Sequence, residues 1–296
     1  MSALDELVAA VLATPKYRAV CADTVRRLGA AELAKRGGLE AALKATKSRL
    51  HQVFGAFARA PDYGRLLHNV AAAHASGAPD ALREACRAAM ACHASTRERL
   101  PILDRFCAEV FAVTGVPRRV LDLACGLHPL ALPWMGLPAD ASYLAYDLDG
   151  RAVAFLNRAA PLLGAGLQAV HADILCTPPT EEADVAFLLK AATSLERQER
   201  GGARRILDAL RARHIVVSFP VASLGGRNRG MRGGYERAFQ SIVAGAPWQV
   251  ERLQFPTELV FVIRTPGPVT QQGSQTVSRQ CGDDPPRRRI ADGQRR

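Results

Sequence analysis

Three aspartates and a lysine, each beside a short apolar run, are the residues best placed to do chemistry. Asp122 lies inside RRVLDLACGLHP (118–129), where Val120, Leu121 and Leu123 lead into Ala124-Cys125-Gly126. Asp147 closes Ser142-Tyr143-Leu144-Ala145-Tyr146, Asp173 follows a third run ending at His171-Ala172, and Lys190 follows a fourth. A glycine turn lets the backbone lie close to a ligand. An acid at the next strand end accepts hydrogen bonds from ribose hydroxyls. Asp173 then suits the exocyclic amine of an adenine, with Leu148 and Ile174 sandwiching the ring. Together these residues read as a nucleoside-cofactor site. S-adenosylmethionine (SAM) is the expected cofactor, because the turn reads ACGLHP where NAD binding would call for GxGxxG. Arg99 is the expected partner of the cofactor carboxylate, and carbonyls near Ala124 would accept from its amine. Lys190 is an odd neighbour for a sulfonium. It would pair with Asp122 or Asp173, or orient the substrate.

Elements at regular spacing must carry these residues. From Arg118 the pattern alternates strand and helix, which predicts a parallel sheet. The expected strands are 118–124, 142–147, 167–172, 184–190 and 214–220, with helices over 150–163 and 195–212. A loop containing Arg227 and Arg229 follows, then a helix over 231–244 that begins at Met231-Arg232, then strands 248–255 and 258–265. The fold class is α/β, with the Rossmann-like seven-stranded sheet of a class I SAM-dependent methyltransferase and an all-helical N-terminal domain. Upstream, Leu4, Leu7, Val8, Val11 and Leu12 repeat at helical spacing. A helix over 17–28 is expected to stop at Gly29. Another, over 39–59, puts Leu43, Leu50, Phe54 and Phe57 on one face and Lys44, Lys47 and His51 on another, with Arg49 flanking. Residues 79–114 read as two helices, the second capped by Ser95 or Thr96 with Glu98. The expected domains are 1–76, helical; 77–266, catalytic, with linking helices over 77–116; and 267–296, a disordered basic tail.

The formal charge is +11 and the pI about 9.8, which suits a polyanionic partner such as RNA, although a solvated arginine-rich surface has the same composition. The seven cysteines show no CxxC spacing, so neither disulfides nor a metal site is expected, in keeping with a reducing cytoplasm. No apolar run is long enough to cross a membrane, and Asp5 and Glu6 near the start do not suit a signal peptide.

Seven segments carry a more specific resemblance: KYRAVCADTVRRL (16–28), SRLHQVFGAF (48–57), HASTRERL (93–100), VLDLACGLHPLAL (120–132), LLKAATSLERQE (188–199), VSFPVASLGGRNRGM (217–231) and TELVFVIR (257–264). Over about residues 4–267 the chain resembles the aminoglycoside-resistance 16S ribosomal RNA methyltransferases of the Arm/Rmt type. The resemblance implies methyl transfer from SAM to N7 of guanine-1405 in the assembled 30S subunit. It places Lys16, Lys47 and Arg49, beside Lys44, in segments used for RNA docking. It places Arg99, Asp147, Asp173 and Ile174 where SAM is held, and Arg227, Arg229, Met231 and Arg232 near the flipped guanine. Two segments depart from the family pattern: Arg232-Gly233-Gly234-Tyr235, and AATSL after Lys190. Guanine N7 has a free lone pair and no proton, so no catalytic base is expected and Lys190 is the only candidate for a chemical role. A monomer is expected for an enzyme that docks on a ribosomal subunit. The alternatives are a SAM-dependent methyltransferase acting on another RNA site or on a small molecule, and a non-catalytic RNA-binding protein.

Overall fold

The computed structural model describes residues 1–54, 61–221 and 231–266. Phe57, Arg227, Arg229 and the tail 267–296 lie outside the described residues, as do the side chains of Phe54, Met231 and Arg232. Seven strands form one sheet: β1 (Arg119–Leu123), β2 (Ser142–Asp147), β3 (Leu167–His171), β4 (Glu182–Leu189), β5 (Arg211–Pro220), β6 (Gln249–Gln254) and β7 (Glu258–Arg264). Their order is β3-β2-β1-β4-β5-β7-β6. The first five pair in parallel, and β7 runs antiparallel between β5 and β6. The order reverses between β1 and β4, so a crevice opens at the carboxyl ends of the central strands, where such sheets bind ligands.

The central strands are largely apolar because both faces are covered. Alternate residues enter two cores. Val120, Val185 and Phe187 face one side, which is packed by α4 (Tyr63–Ala75), α5 (Pro79–Met90), α7 (Leu103–Thr114) and α9 (Gly150–Leu163). Leu121, Leu123, Ala186 and Leu188 face the other, packed by α10 (Ala192–Gln198), α11 (Gly202–Ala209) and α12 (Met231–Val243). The helices α1 (Ala3–Leu12), α2 (Ala22–Lys35) and α3 (Leu39–Phe54) enclose a third core of Leu7, Val11, Val25, Leu28 and Leu50. α4 does not join that core: Leu66 and Val70 are buried, Leu66 in the sheet's core, and Tyr63 stacks on Phe155 of α9 at 5.0 Å.

The structure corrects several expectations. Gly29 does not stop a helix but lies inside α2, where a Cβ would stand 2.6 Å from Leu7 Cδ2. Its missing side chain lets α1 approach. The helix expected from residue 17 begins only at Ala22, because the preceding segment is tied to the chain after β2. There Cys21 N–H donates to the Leu148 carbonyl at 2.9 Å, and Gly150 N–H to that of Ala19 at 2.8 Å. The single helix expected over 195–212 is two, α10 and α11, broken at Gly201 with φ +78°. The linking region holds α5, a short α6 (Ala94–Arg97), a 3₁₀ turn (Leu100–Ile102) and α7, and a one-turn α8 (Leu132–Met135) follows β1. No capping box forms at its middle: the hydroxyl of Thr96 donates to the carbonyls of Met90 and His93.

Candidate cofactor site

β1 ends in a strained turn. Ala124 has φ +51° and Gly126 φ +54°, a region that side chains disfavour. The turn aims one amide at β2: Gly126 N–H donates to Asp147 Oδ2 at 2.8 Å, while Asp149 N–H donates to Asp147 Oδ1 at 2.8 Å. Each oxygen keeps a lone pair for a further donor. Burial holds the Asp147 carboxyl above its ordinary pKa, and the two backbone N–H groups oppose that rise. Asp122 does not line the cavity. It is buried under the turn, accepting from Tyr143 Oη at 2.8 Å and standing 2.9 Å from His128 Nδ1. It supports the turn instead of touching a ligand, which corrects its expected role.

The cavity at the strand ends is lined by Ala124, Gly126, Asp147, Leu148, Asp173 and Ile174, together with Lys190, His93 and Gln198. His93 covers the glycine turn so closely that a Cβ on Gly126 would stand 2.8 Å from its Cε1. Desolvation pushes the His93 pKa down to about 4, with Asp149 pulling weakly the other way. The imidazole is therefore neutral at ordinary pH. These residues would fit an adenosine group: a carboxylate with spare lone pairs stands at the end of β2, a second acid follows β3, and the aliphatic Leu148 and Ile174 line the same cavity.

Arg99 and Lys190 meet at one buried acid. Glu258, the first residue of β7, is fully buried. Arg99 Nε donates to Glu258 Oε2 at 3.0 Å and its Nη2 donates to Oε1; Ser218 Oγ also donates to Oε1. Lys190 Nζ lies 3.6 Å from Glu258 and donates to Glu98 at 2.8 Å and to the Ser95 carbonyl at 3.1 Å. The guanidinium of Arg99 is thus committed to Glu258 and does not line the cavity, which corrects the expected carboxylate clamp. Lys190 pairs with Glu98 and Glu258, not with Asp122 or Asp173. It also holds φ +59° at the cavity wall, an outlier of the kind that marks functional sites.

The sequence matches the family described as ribosomal RNA methyltransferase (FmrO) over residues 13–262. The chain belongs to this family. A 16S rRNA (guanine(1405)-N(7))-methyltransferase of Frankia casuarinae is 43% identical, with 88% of this chain and 94% of the relative covered. One of Serratia marcescens is 35% identical over 89% of this chain and 99% of its own length. The crystal structure of 16S rRNA methyltransferase RmtF in complex with S-adenosyl-L-homocysteine aligns with a TM-score of 0.74 at 34% identity, covering 90% of this chain and 99% of that one. The 16S rRNA methylase RmtB aligns at 0.72 and 31%, covering 88% and 98%.

The basic residues of this FmrO-family chain divide by surroundings. Lys16 and Lys44 are exposed and Lys47 is half-buried; Lys16 Nζ lies 3.0 Å from Nδ1 of the exposed His51. These residues bring α3 and the segment before α2 into one basic face. Arg49 is not on that face. It donates to Glu32 at 3.3 Å and to the Gln198 carbonyl at 3.0 Å, so it ties the N-terminal helices to α10. Sequence reasoning missed His93, Gln198, Glu258 and Arg27 as parts of the site. The pair Arg26-Arg27 was visible, but only the fold separates them: Arg26 pairs with Asp5 outside, and Arg27 with Asp173 inside.

Proposed function

We propose that this protein transfers a methyl group from S-adenosylmethionine to N7 of guanine-1405 of 16S rRNA in the assembled 30S subunit. The transfer confers aminoglycoside resistance, and the protein acts as a monomer in the cytoplasm, where its substrate is. The observation that carries this reading is the span of the family match. It runs through the basic helices and the strand-end cavity alike, so substrate docking and methyl transfer come from one continuous resemblance.

SAM, when bound, supplies an electrophilic methyl on a sulfonium. Asp147 would accept from its ribose, Asp173 would hold the adenine amine, and Leu148 and Ile174 would flank the ring. Guanine N7 carries no proton, so no side chain has to remove one, and rate comes from alignment and charge management. His93 helps by staying neutral beside the cavity. Lys190 and Arg99 add no net charge there, because Glu98 and Glu258 balance them. That balance answers how a lysine can sit near a cationic cofactor.

α1–α3 form the docking unit in this proposal, with Lys16, Lys44 and Lys47 toward the phosphate backbone. α4 belongs with the catalytic body, since it packs on α9. The test is expression in a susceptible bacterium, with resistance to 4,6-disubstituted deoxystreptamine aminoglycosides as one readout. Reduction and aniline scission of 16S rRNA, followed by primer extension, gives the other. Resistance with a stop at guanine-1405 is expected; full susceptibility with an unmodified guanine would refute the reading.

A further inference from the structure

Arg27 belongs to α2, in the N-terminal helices, yet its guanidinium ends at the cofactor cavity of the sheet. Its Nε and Nη2 both donate to Asp173 Oδ2, at 3.1 and 2.8 Å, and Nη2 also donates to Gln198 Oε1 at 2.8 Å. The other oxygen of Asp173, Oδ1, accepts from the Leu175 N–H at 2.9 Å. Asp173 is only 4% exposed and Arg27 19%. Asp173 and Gln198 both line the cavity.

A carboxylate offers about four lone-pair positions. Arg27 donates twice to Oδ2 and Leu175 once to Oδ1, which fixes the plane of the group; the Cys176 thiol beside them is a weaker donor that a ligand amine can replace. Without the Arg27 guanidinium, a carboxylate buried this deeply would be free to turn toward other donors. A rotated Asp173 would no longer present its acceptor to an amine. Its orientation is therefore set from α2, a helix of the third core.

We propose that Arg27 is a positioning residue for the adenine end of the cofactor, holding the Asp173 carboxylate aimed so that the site selects a 6-amino over a 6-oxo purine. The inference rests on the reading of this cavity as the SAM site. It gives the N-terminal helices a second role, since besides meeting RNA they complete the cofactor cavity.

The test uses the full-length protein without RNA and two probes, S-adenosylhomocysteine and S-inosylhomocysteine, which carries a carbonyl in place of the amine. Calorimetry on the unsubstituted protein should show a preference for the amine of about tenfold or more. In Arg27→Gln the preference should collapse toward unity, mainly through weaker binding of S-adenosylhomocysteine. Arg27→Lys keeps the charge without the fork and should recover part of it; it also serves if Arg27→Gln does not fold. Glu32→Gln loosens the same helices through Arg36 and Arg49 and should leave the preference intact. Equal weakening of both probes in Arg27→Gln would mean a merely structural role and overturn the proposal, as would an unchanged preference. Failure of the unsubstituted protein to bind S-adenosylhomocysteine would instead overturn the reading of the cavity itself.

Discussion

Glu258 neutralises two cations from distant parts of the chain, and its own charge depends on them. Burial would raise its pKa, but the charges of Arg99 and Lys190, with hydrogen bonds from Arg99 and Ser218, outweigh burial and hold the carboxyl below its ordinary value. A depressed carboxyl stabilises the fold above the unfolded pKa, and that contribution is lost as pH falls through the folded one. Glu258→Gln leaves Arg99 without a counterion, and urea denaturation should show a loss of about 3–5 kcal/mol; a loss below about 1 kcal/mol would mean the pair is worth no more than a surface contact. His93 has the other sign of shift for its type, since its folded pKa is lowered to about 4 from 6.5. The unfolded chain then binds the extra proton between those values, so stability is full above pH 6.5 and declines as pH falls toward 4. His93→Gln should remove that part of the decline when unfolding midpoints at about pH 7 and about pH 5 are compared. An unchanged difference between the two pH values would refute the half-buried neutral imidazole.

The turn after β1 is held open by one missing methyl group. Gly126→Ala would place a Cβ at φ +54° and 2.8 Å from His93 Cε1. The backbone strain alone is about 1–2 kcal/mol, and the amide that meets Asp147 would shift. Binding of S-adenosylhomocysteine should weaken about tenfold or more, and His93→Ala should return part of the loss by clearing the clash. No recovery in the double variant would place the whole effect in the backbone. This turn and its strands were legible in the sequence, because a doubly covered parallel strand reads as an unbroken apolar run ending at its functional residue. All five parallel strands and the final hairpin fall within about three residues of their expected places. The helix ends were less legible. Gly29 and Gly201 look alike as letters, but one allows a close helix approach and the other breaks a helix, and only tertiary packing distinguishes them. The least legible features were the partners of charges. Arg99 and Glu258 are 159 residues apart, and no local pattern shows that a conspicuous arginine is already occupied.

The same distinction governs the whole molecule's positive charge. A net +11 describes a surface, but a cation meets phosphate only if its charge is not already used inside the protein. Lys16, in the segment before α2, and Lys44 and Lys47, on α3, share one basic face, whereas Arg49, which the sequence groups with them, joins the N-terminal helices to α10 through Gln198. Reversing charge at the two kinds of site should therefore fail in different ways. Lys16→Glu, Lys44→Glu and Lys47→Glu together should weaken binding to 30S subunits and flatten its salt dependence by about 0.7–0.9 in log–log slope for each phosphate no longer neutralised. Affinity for S-adenosylhomocysteine and thermal stability should stay unchanged, because none of the three side chains supports the cavity. Arg49→Glu should lower thermal stability, since it sets a carboxylate against Glu32 and the Gln198 carbonyl. It should weaken cofactor binding too, because Gln198 is a wall of the cavity. Filter binding over a salt series, calorimetry and thermal denaturation on the same two proteins separate the cases. Intact stability and cofactor affinity in Arg49→Glu, with 30S binding abolished, would put Arg49 on the RNA face and refute this division of the basic residues.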